Sequence, residues 1–234
     1  MKILAVDTSD NTATVCVAED NKLLAECVVN YKKTHSQTLM PMIDKCLNDS
    51  GTDISQIDLF AVANGPGSFT GLRIGVSAVK GMAHALDKPI IEVSTLEGMA
   101  YNLYMCADIV CPIMDARRSQ VYNAVYSWDN GKLNILTPPR ALSVEECVED
   151  VKKYGRRVVF LGGGVDVHRE YITEQMGENA VFAPFSCNAQ RAAALAAAAM
   201  SRIDEKKTCY EVVPFYLRKP QAERELEEKQ KERL

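Results

Sequence analysis

The stretch DLFAVANGPGSFTGLRIGVSAVKGMAHAL, residues 58–86, decides the fold. An apolar run ends at Asn64, a glycine-rich turn runs from Gly65 to Gly71, and small and apolar residues then recur at helical spacing. A buried strand that enters a helix through a glycine-rich turn is typical of α/β proteins, where such turns often hold phosphate. The glycines therefore have two interpretations, a phosphate cradle or close backbone packing.

The spacing of these glycines excludes one phosphate motif and disfavours another. A P-loop needs a lysine directly after its last glycine, but Leu72 and Arg73 follow Gly71. Gly65, Gly67 and Gly71 form G-x-G-x-x-x-G, one residue longer than the dinucleotide fingerprint. Two interpretations stay open: a tight turn that lets a helix approach the sheet, and an anion site at a helix N-terminus.

Strand and helix patterns alternate along the rest of the first half and begin again in the second. MKILAVDTSDNTATVCVAEDNKLLAEC and ADIVCPIMDARRSQVYNAVYSWDNGKLNIL share one plan. In each, an apolar strand ends in an aspartate (Asp7 or Asp115), and a polar turn, an alternating strand and an Asp-Asn turn follow. This internal repeat predicts an α/β fold made of two duplicated subdomains with mixed sheets flanked by helices.

The repeat places the domain boundary near Met105. Residues 1–104 form the first subdomain, and residues 105–234 form the second, with the helix SVEECVEDVKKYG, the strand RVVFLGGG and the alanine-rich helix RAAALAAAAMSRI. The charged tail QAERELEEKQKERL is expected to be an exposed helix or a frayed end.

Composition narrows the functional classes. The net charge is -4, and no basic block stands out, so any contact with nucleic acid is expected to be shared with a partner. The eight cysteines are scattered without C-x-x-C, which predicts a reduced protein. The N-terminus does not resemble a signal peptide, and no apolar run reaches the roughly 18 residues of a membrane span. We therefore expect a cytoplasmic protein that does not contact a membrane.

The polar turns that follow the first apolar strand of each half are candidate sites for nucleotide contacts. Actin-like ATPases and sugar kinases hold a metal-bound triphosphate between paired hairpins of this type, one from each subdomain. The candidate residues lie on the first hairpin turn and on the glycine-rich turn: Asp7, Thr8, Ser9, Gly65, Gly67, Ser68 and Thr70. An ordinary Asx-turn at Asp7 is the alternative. The second turn, DARRSQ, keeps Asp115 but lacks glycine and carries Arg117 and Arg118, so half of the clamp is degenerate. These charges are expected to form a structural ion pair, and contact with a charged partner is the alternative.

The sequence offers no complete catalytic or metal-binding set. His35, His84 and His168 are far apart and lack the spacing of a metal site. No G-x-S-x-G nucleophile elbow occurs. We therefore predict no catalytic residue and no metal ligand.

Two helices are more apolar than one sheet contact requires. A helix that packs on a sheet needs a single apolar stripe, whereas residues 71–86 are apolar nearly all round. This favours docking onto a partner, although an intramolecular core would also account for both stripes. The predicted interface residues are Leu39, Met42, Ile43, Cys46, Leu72, Gly75, Val76, Val79, Met82, Ala83 and Leu86.

Six segments resemble, in order, the motifs of the bacterial TsaB (YeaZ) family. They are ILAVDTS, THSQTLMPMID, NGPGSFTGLRIGVSAVKGMAHAL, VSTLEGMA, PIMDARRSQVYNAVY and VPFYLRKP, and together they span nearly the whole chain. The resemblance implies duplicated actin-like (ribonuclease H-like) subdomains, the second of them degenerate. It also implies that the two apolar helices form a four-helix bundle with a partner.

The resemblance implies a scaffold that activates a catalytic subunit. That TsaD-like subunit installs threonylcarbamoyl on N6 of an anticodon-loop adenosine in tRNAs that read ANN codons. A TsaE-like ATPase is a further implied partner, the isolated chain is expected to form a homodimer, and tRNA is met only through the complex. TsaD-like subunits carry H-x-x-x-H on the helix that here begins at His35, but Leu39 replaces the second histidine.

This departure implies a non-catalytic partner that requires no cofactor and binds ATP or ADP weakly. The alternative is a self-sufficient nucleotide-dependent enzyme of the actin-like or sugar-kinase type, which turnover of ATP by the isolated chain would reveal. A free-standing nucleotide or metabolite sensor is a third option, and it would need tight binding without a partner.

Overall fold

A computed structural model describes residues 1–31 and 34–218. The first half contains one five-stranded sheet with strands β1 (Lys2–Asp7), β2 (Ala13–Glu19), β3 (Lys22–Val29), β4 (Leu59–Gly65) and β5 (Ile90–Ser94). Its helices are α1 (His35–Asp49), α2 (Phe69–Leu86) and α3 (Thr95–Ala100). The sequence predictions of β1, β4, α1 and α2 are confirmed.

The second half contains a second five-stranded sheet. Its strands are β6 (Ile109–Arg117), β7 (Gln120–Asp129), β8 (Lys132–Ser143), β9 (Val158–Leu161) and β10 (Ala180–Phe182). Its helices are α4 (Val144–Lys152), α5 (Gly163–Met176) and α6 (Phe185–Asn188), and α7 (Ala192–Met200) follows.

The two sheets have the same topology, which confirms the internal repeat. The first has the strand order β3-β2-β1-β4-β5, and the second has β10-β9-β6-β7-β8, which is the same order in reverse. In each sheet the first three strands pair antiparallel, and the last two join them in parallel. The chain therefore has the predicted duplicated α/β fold with mixed sheets.

Local sequence signals set the ends of the main helices. Ser68 caps α2 by accepting a hydrogen bond from the Gly71 amide, and α2 ends at Asp87 in the left-handed conformation. Ser143 and Glu146 form a capping box at the start of α4. The continuous apolar run of β1 is buried because helices cover both faces of its sheet.

The alanine-rich helix α7 does not complete the second subdomain, which corrects the sequence prediction. It packs on the first sheet, where Leu195 and Ala199 join a core with Ile3 and Ile91. The small alanine side chains let α7 approach the sheet closely on the face opposite α1 and α2. The contact is long-range in sequence, so the repeat pattern could not reveal it. The domain boundary near residue 105 stays a prediction.

The predictions on the charged tail and on membrane spans are assessed within the described residues. The charged tail QAERELEEKQKERL lies outside them. Among the helices of residues 1–31 and 34–218, none is long and apolar enough to cross a membrane.

Candidate functional site

The glycine-rich turn packs against the hairpin turn that follows β1. The Ser68 amide donates a hydrogen bond of 2.7 Å to the Ser9 carbonyl. The Thr8 hydroxyl donates a bond of the same length to the Gly71 carbonyl. The N-terminus of α2 is thereby fixed directly onto the β1–β2 hairpin.

The glycine spacing follows from this contact. A Cβ on Gly67 would lie 2.2 Å from the Ser9 carbonyl oxygen, and one on Gly71 would lie 2.0 Å from that of Thr8. A Cβ on Gly75 would meet the Thr8 hydroxyl at 2.4 Å. No side chain fits at these distances, so the glycines allow the helix to touch the hairpin. Close packing therefore accounts for Gly67, Gly71 and Gly75.

Asp7 lies beneath this contact and away from solvent. Its Oδ1 accepts a hydrogen bond of 2.8 Å from the Ser9 amide, which is the predicted Asx-turn. Burial raises the pKa of the Asp7 carboxyl to about 6, with a smaller contribution from the nearby Asp10 charge. Asp7 is therefore a buried structural carboxyl of the hairpin.

A cleft of about 870 Å³ lies between the two halves. Of the predicted nucleotide contacts, Ser9, Gly67, Ser68 and Thr70 line this cleft. The other three, Asp7, Thr8 and Gly65, are not among its lining residues. The structure thus brings four of the seven candidates to one surface, and nucleotide binding there stays a prediction.

The opposite wall of the cleft carries the second hairpin turn. Asp115 accepts a hydrogen bond of 2.7 Å from the Arg117 amide, so this turn keeps the same local bond as the first. Arg117, Arg118 and Ser119 all have positive φ, between 56° and 64°, a conformation that costs energy in residues with a side chain. The Arg218 guanidinium donates to the Ala116 carbonyl at the same turn.

The predicted docking residues are mostly inside the chain, and this part of the prediction is wrong. The apolar stripes of α1 and α2 face their own sheet, so they cannot contact a partner. Nine of the eleven residues are buried: Leu39, Met42, Ile43, Cys46, Leu72, Gly75, Val76, Val79 and Ala83. The remaining two, Met82 and Leu86, are partly exposed. The intramolecular interpretation of the stripes is thus the correct one for these nine.

The outward side of α2 presents small side chains. We define the α2 outer face as Ser77, Ala78, Gly81, Met82 and Ala85, all of which are partly or fully exposed. A Cβ on Gly81 would meet nothing within 4 Å. The spacing of Ser77, Gly81 and Ala85 could have revealed this face, because they lie opposite the buried stripe, whereas Ala78 and Met82 flank the stripe and pack against the first core.

A segment beyond α7 runs beside α2 and was missed by the sequence analysis. We call Lys207–Arg218 the C-terminal strap. Val212 is fully buried in the first core, and its carbonyl accepts a hydrogen bond of 2.7 Å from Lys80 of α2. Tyr216 stacks on Phe69 with ring centroids 4.4 Å apart, and its hydroxyl accepts from Arg73 at 3.0 Å.

Glu92 of β5 contacts the C-terminal strap. Its Oε1 accepts a hydrogen bond of 2.7 Å from the Val213 amide, and its other oxygen pairs with Lys207. It lines a separate cavity of about 310 Å³. Within the described part of the chain, no group of three or more His, Cys, Asp or Glu residues is arranged to hold a metal ion.

Comparison with known proteins agrees with this geometry. The family model of TsaD, tRNA N6-adenosine threonylcarbamoyltransferase, matches residues 22–226. The tRNA threonylcarbamoyladenosine biosynthesis protein TsaB of Bacillus subtilis is 35% identical over 231 residues, which cover 99% of this chain and 100% of that protein. The chain belongs to the TsaB family.

Solved structures resemble this TsaB-family chain over nearly its full length. YeaZ from Pseudomonas aeruginosa aligns with a TM-score of 0.75 at 26% identity, covering 92% of this chain and 99% of that one. A second structure, of a protein with similarity to peptidase YEAZ from the same organism, aligns with a TM-score of 0.78 at 27% identity and covers 93% and 99%. The family resemblance and the duplicated actin-like fold are therefore confirmed.

Proposed function

We propose that this chain is a non-catalytic, cytoplasmic subunit in the biosynthesis of threonylcarbamoyladenosine in tRNA. It docks onto a TsaD-like catalytic subunit and activates it. The observation that carries the proposal is similarity in sequence over nearly the full chain to a protein named TsaB, together with similarity in fold to one named YeaZ.

The α2 outer face is the proposed docking surface. Small side chains let the backbone of a partner helix approach closely, and the open space at Gly81 offers such a groove. Met82 adds apolar surface beside it, and Leu86 lies one turn further along. The docking helix of the sequence prediction is kept together with Met82 and Leu86, but the rest of its contact surface moves away from the buried stripe.

Two features of the described residues support a non-catalytic role. Leu39 stands where TsaD-like subunits carry the second histidine of their metal motif, and its side chain lies in the apolar core. Asp7 is enclosed by the hairpin and contributes no surface to the cleft. Both side chains are thus enclosed within the fold and contribute nothing to a surface site.

We further propose the wider assembly implied by the family. A TsaE-like ATPase joins the complex, the isolated chain forms a homodimer, and tRNA is contacted only through the assembled complex. The net charge of -4 supports a shared tRNA contact, because a chain that binds RNA alone usually carries a basic surface. No cofactor is required, and binding of ATP or ADP in the cleft is weak.

Molar mass measured by light scattering tests the docking surface. The purified chain is mixed with its cognate TsaD-like subunit, and a heterodimer is expected. Ser77→Arg and Gly81→Arg should each abolish it, because they put a long charged side chain on the α2 outer face. Gln175→Arg, on an exposed position of α5, is the matched control and should leave the complex intact. Circular dichroism verifies that all variants fold.

Formation of threonylcarbamoyladenosine by the catalytic subunit gives the second readout. The wild-type chain and Gln175→Arg should raise it, and the two α2 variants should not. If the wild-type chain forms no complex and hydrolyses ATP alone, the nucleotide-dependent enzyme replaces the scaffold. If the complex forms with both α2 variants, the docking surface is elsewhere.

A further inference from the structure

The end of the C-terminal strap joins α2 to the second half of the chain through three consecutive residues. Tyr216 stacks on Phe69, the first residue of α2. Leu217 packs against a core to which β6, β7 and β9 contribute. The Arg218 guanidinium donates a hydrogen bond to the Ala116 carbonyl, just before the second hairpin turn. Movement of the strap at α2 is therefore carried directly to this turn.

The strap follows one side of α2 and borders the α2 outer face. It contacts the helix at Arg73, Lys80 and His84, which lie on one side because seven and then four residues separate them. Ser77 of the outer face is four residues from Arg73 and three from Lys80, so it is their neighbour on the helix surface. Tyr216 beside Arg73 is 37% exposed. A partner seated on the outer face therefore also meets the strap.

The turn at the other end of the strap is strained. Residues 117–119 each have a φ between 56° and 64°, although all three carry side chains. Such a conformation persists only where neighbouring groups fix it. The Ser119 carbonyl accepts a hydrogen bond of 3.2 Å from the Val144 amide at the start of α4. The bond from Arg218 to the Ala116 carbonyl fixes the other side of the turn from the strap.

We propose that residues 216–218 are a conformational link between the α2 outer face and the second hairpin turn. The link rests on the proposed function, because the partner that acts on it is the subunit docked on α2. That partner makes more contact with Tyr216 when the strap lies against α2, so docking favours this position of the strap. Arg218 is then held on the Ala116 carbonyl, and the turn opens less often.

Limited proteolysis of the isolated full chain tests the link. Trypsin cleaves after Arg117 and Arg118 when the turn opens into an extended conformation, and mass spectrometry follows these two cleavages. Arg218→Ala should raise their rate by about 10-fold, since a hydrogen bond from a charged group contributes that much to a local equilibrium. Tyr216→Ala should raise it by about 3-fold, because it removes the aromatic stack on α2. Arg156→Ala is the matched control, because Arg156 also donates to a backbone carbonyl of the second half, and the rate should not change.

The same digestion of the heterodimer tests the effect of docking. With the TsaD-like subunit at a concentration that saturates the chain, the wild-type rate should fall by about 5-fold, which is at the low end of ordinary coupling between two sites. Heterodimers of Tyr216→Ala and Arg218→Ala should lose this protection, whereas the Arg156→Ala heterodimer should keep it. Light scattering verifies that each complex has formed before trypsin is added.

Two results would overturn the link. Wild-type cleavage rates in isolated Arg218→Ala and Tyr216→Ala, both shown to be folded by circular dichroism, would mean that the strap does not hold the turn. Equal protection of the wild type and these two variants in the heterodimer would mean that the partner covers the turn directly. If no heterodimer forms, the proposed function fails and the effect of docking fails with it, whereas the rates of the isolated chains are decided separately.

Discussion

The two halves of the molecule begin with the same hairpin, but they cover it differently. In both, an aspartate at or near the end of the first strand accepts a hydrogen bond from the amide two residues further on, at 2.8 Å for Asp7 and 2.7 Å for Asp115. In the first half the turn is buried beneath α2, whereas Asp115 is exposed to the cleft. The Asx-turn thus sets the hairpin conformation, and another feature sets its burial.

That feature is where the next helix touches the first strand. Gly71 of α2 contacts Thr8, one residue after Asp7, whereas Gly162 and Gly164 at the start of α5 contact Ile113, two residues before Asp115. The second contact is thus three residues, or roughly 10 Å, further back along the strand. The second hairpin turn is left uncovered, and the cleft opens beside it.

Alanine substitutions at Gly71 and Gly164 should lower the unfolding free energy by different amounts, and Gly71→Ala should have the largest effect of the substitutions considered. Gly71→Ala puts a Cβ 2.0 Å from a backbone oxygen that cannot move without the hairpin, so we expect a loss of about 3 kcal/mol of unfolding free energy. Gly164→Ala meets the Ile113 oxygen at 3.0 Å, and a loss of about 1 kcal/mol is expected. Urea denaturation followed by circular dichroism measures both. Equal losses would mean that the two helices contact their strands alike.

Replacing Asp7 with a neutral residue tests whether burial distinguishes this aspartate from the exposed Asp115. Its pKa in the folded state, about 6, lies above the ordinary value of 3.8, so the buried carboxyl favours the folded state below pH 4, and this stability is lost as the pH rises to 6. Asp7→Asn keeps the acceptor for the Ser9 amide and should stabilise the protein by about 2–3 kcal/mol at pH 7. Unfolding free energies at pH 4 and pH 7 measure this. A gain that is the same at both would contradict the raised pKa.

Removing the ion pair that joins the start of α7 to the first sheet should have the next largest effect on stability. Glu26 of β3 accepts from both Arg191 Nε and Nη2 and from the Ala193 amide, so it holds the start of α7 on the first half. Arg191→Ala leaves this nearly buried carboxylate without its cation, and we expect a loss of about 1–2 kcal/mol in unfolding free energy. Arg157→Ala, which removes a more exposed ion pair in the second half, is the control and should cost less than 1 kcal/mol.

The sequence predicted what depends on local pattern and missed what depends on distant contacts. Apolar periodicity and turn residues identified β1, β4, α1 and α2, and the repeated Asp-Asn turns identified the duplication. Periodicity also identified the apolar stripe with Val76 and Val79, but it could not say which side of the helix the sheet would cover. The placement of α7 on the first sheet depends on Glu26, which lies 165 residues from Arg191.

The candidate site was predicted in part for the same reason. Ser9 and Ser68 were found because glycines and hydroxyls cluster around them in sequence. Asp10 was missed as a cleft residue because it lies close to Gly163 of the other half, and only the fold brings these two residues together. The C-terminal strap was missed because Val212 and Tyr216 follow no periodic element, and each is placed by a contact with α2.

The smallest expected effect separates folding from docking on the α2 outer face. Gly81 sits in the middle of α2 with open space at its Cβ position, so Gly81→Ala should stabilise the isolated chain by about 0.5–1 kcal/mol through the higher helix propensity of alanine. If a partner helix packs closely there, the added methyl group should weaken the heterodimer while the chain itself becomes more stable. Unfolding free energy and heterodimer affinity, measured on the same variant, should therefore change in opposite directions. An unchanged affinity would mean that Gly81 contributes flexibility to α2 and no contact with a partner.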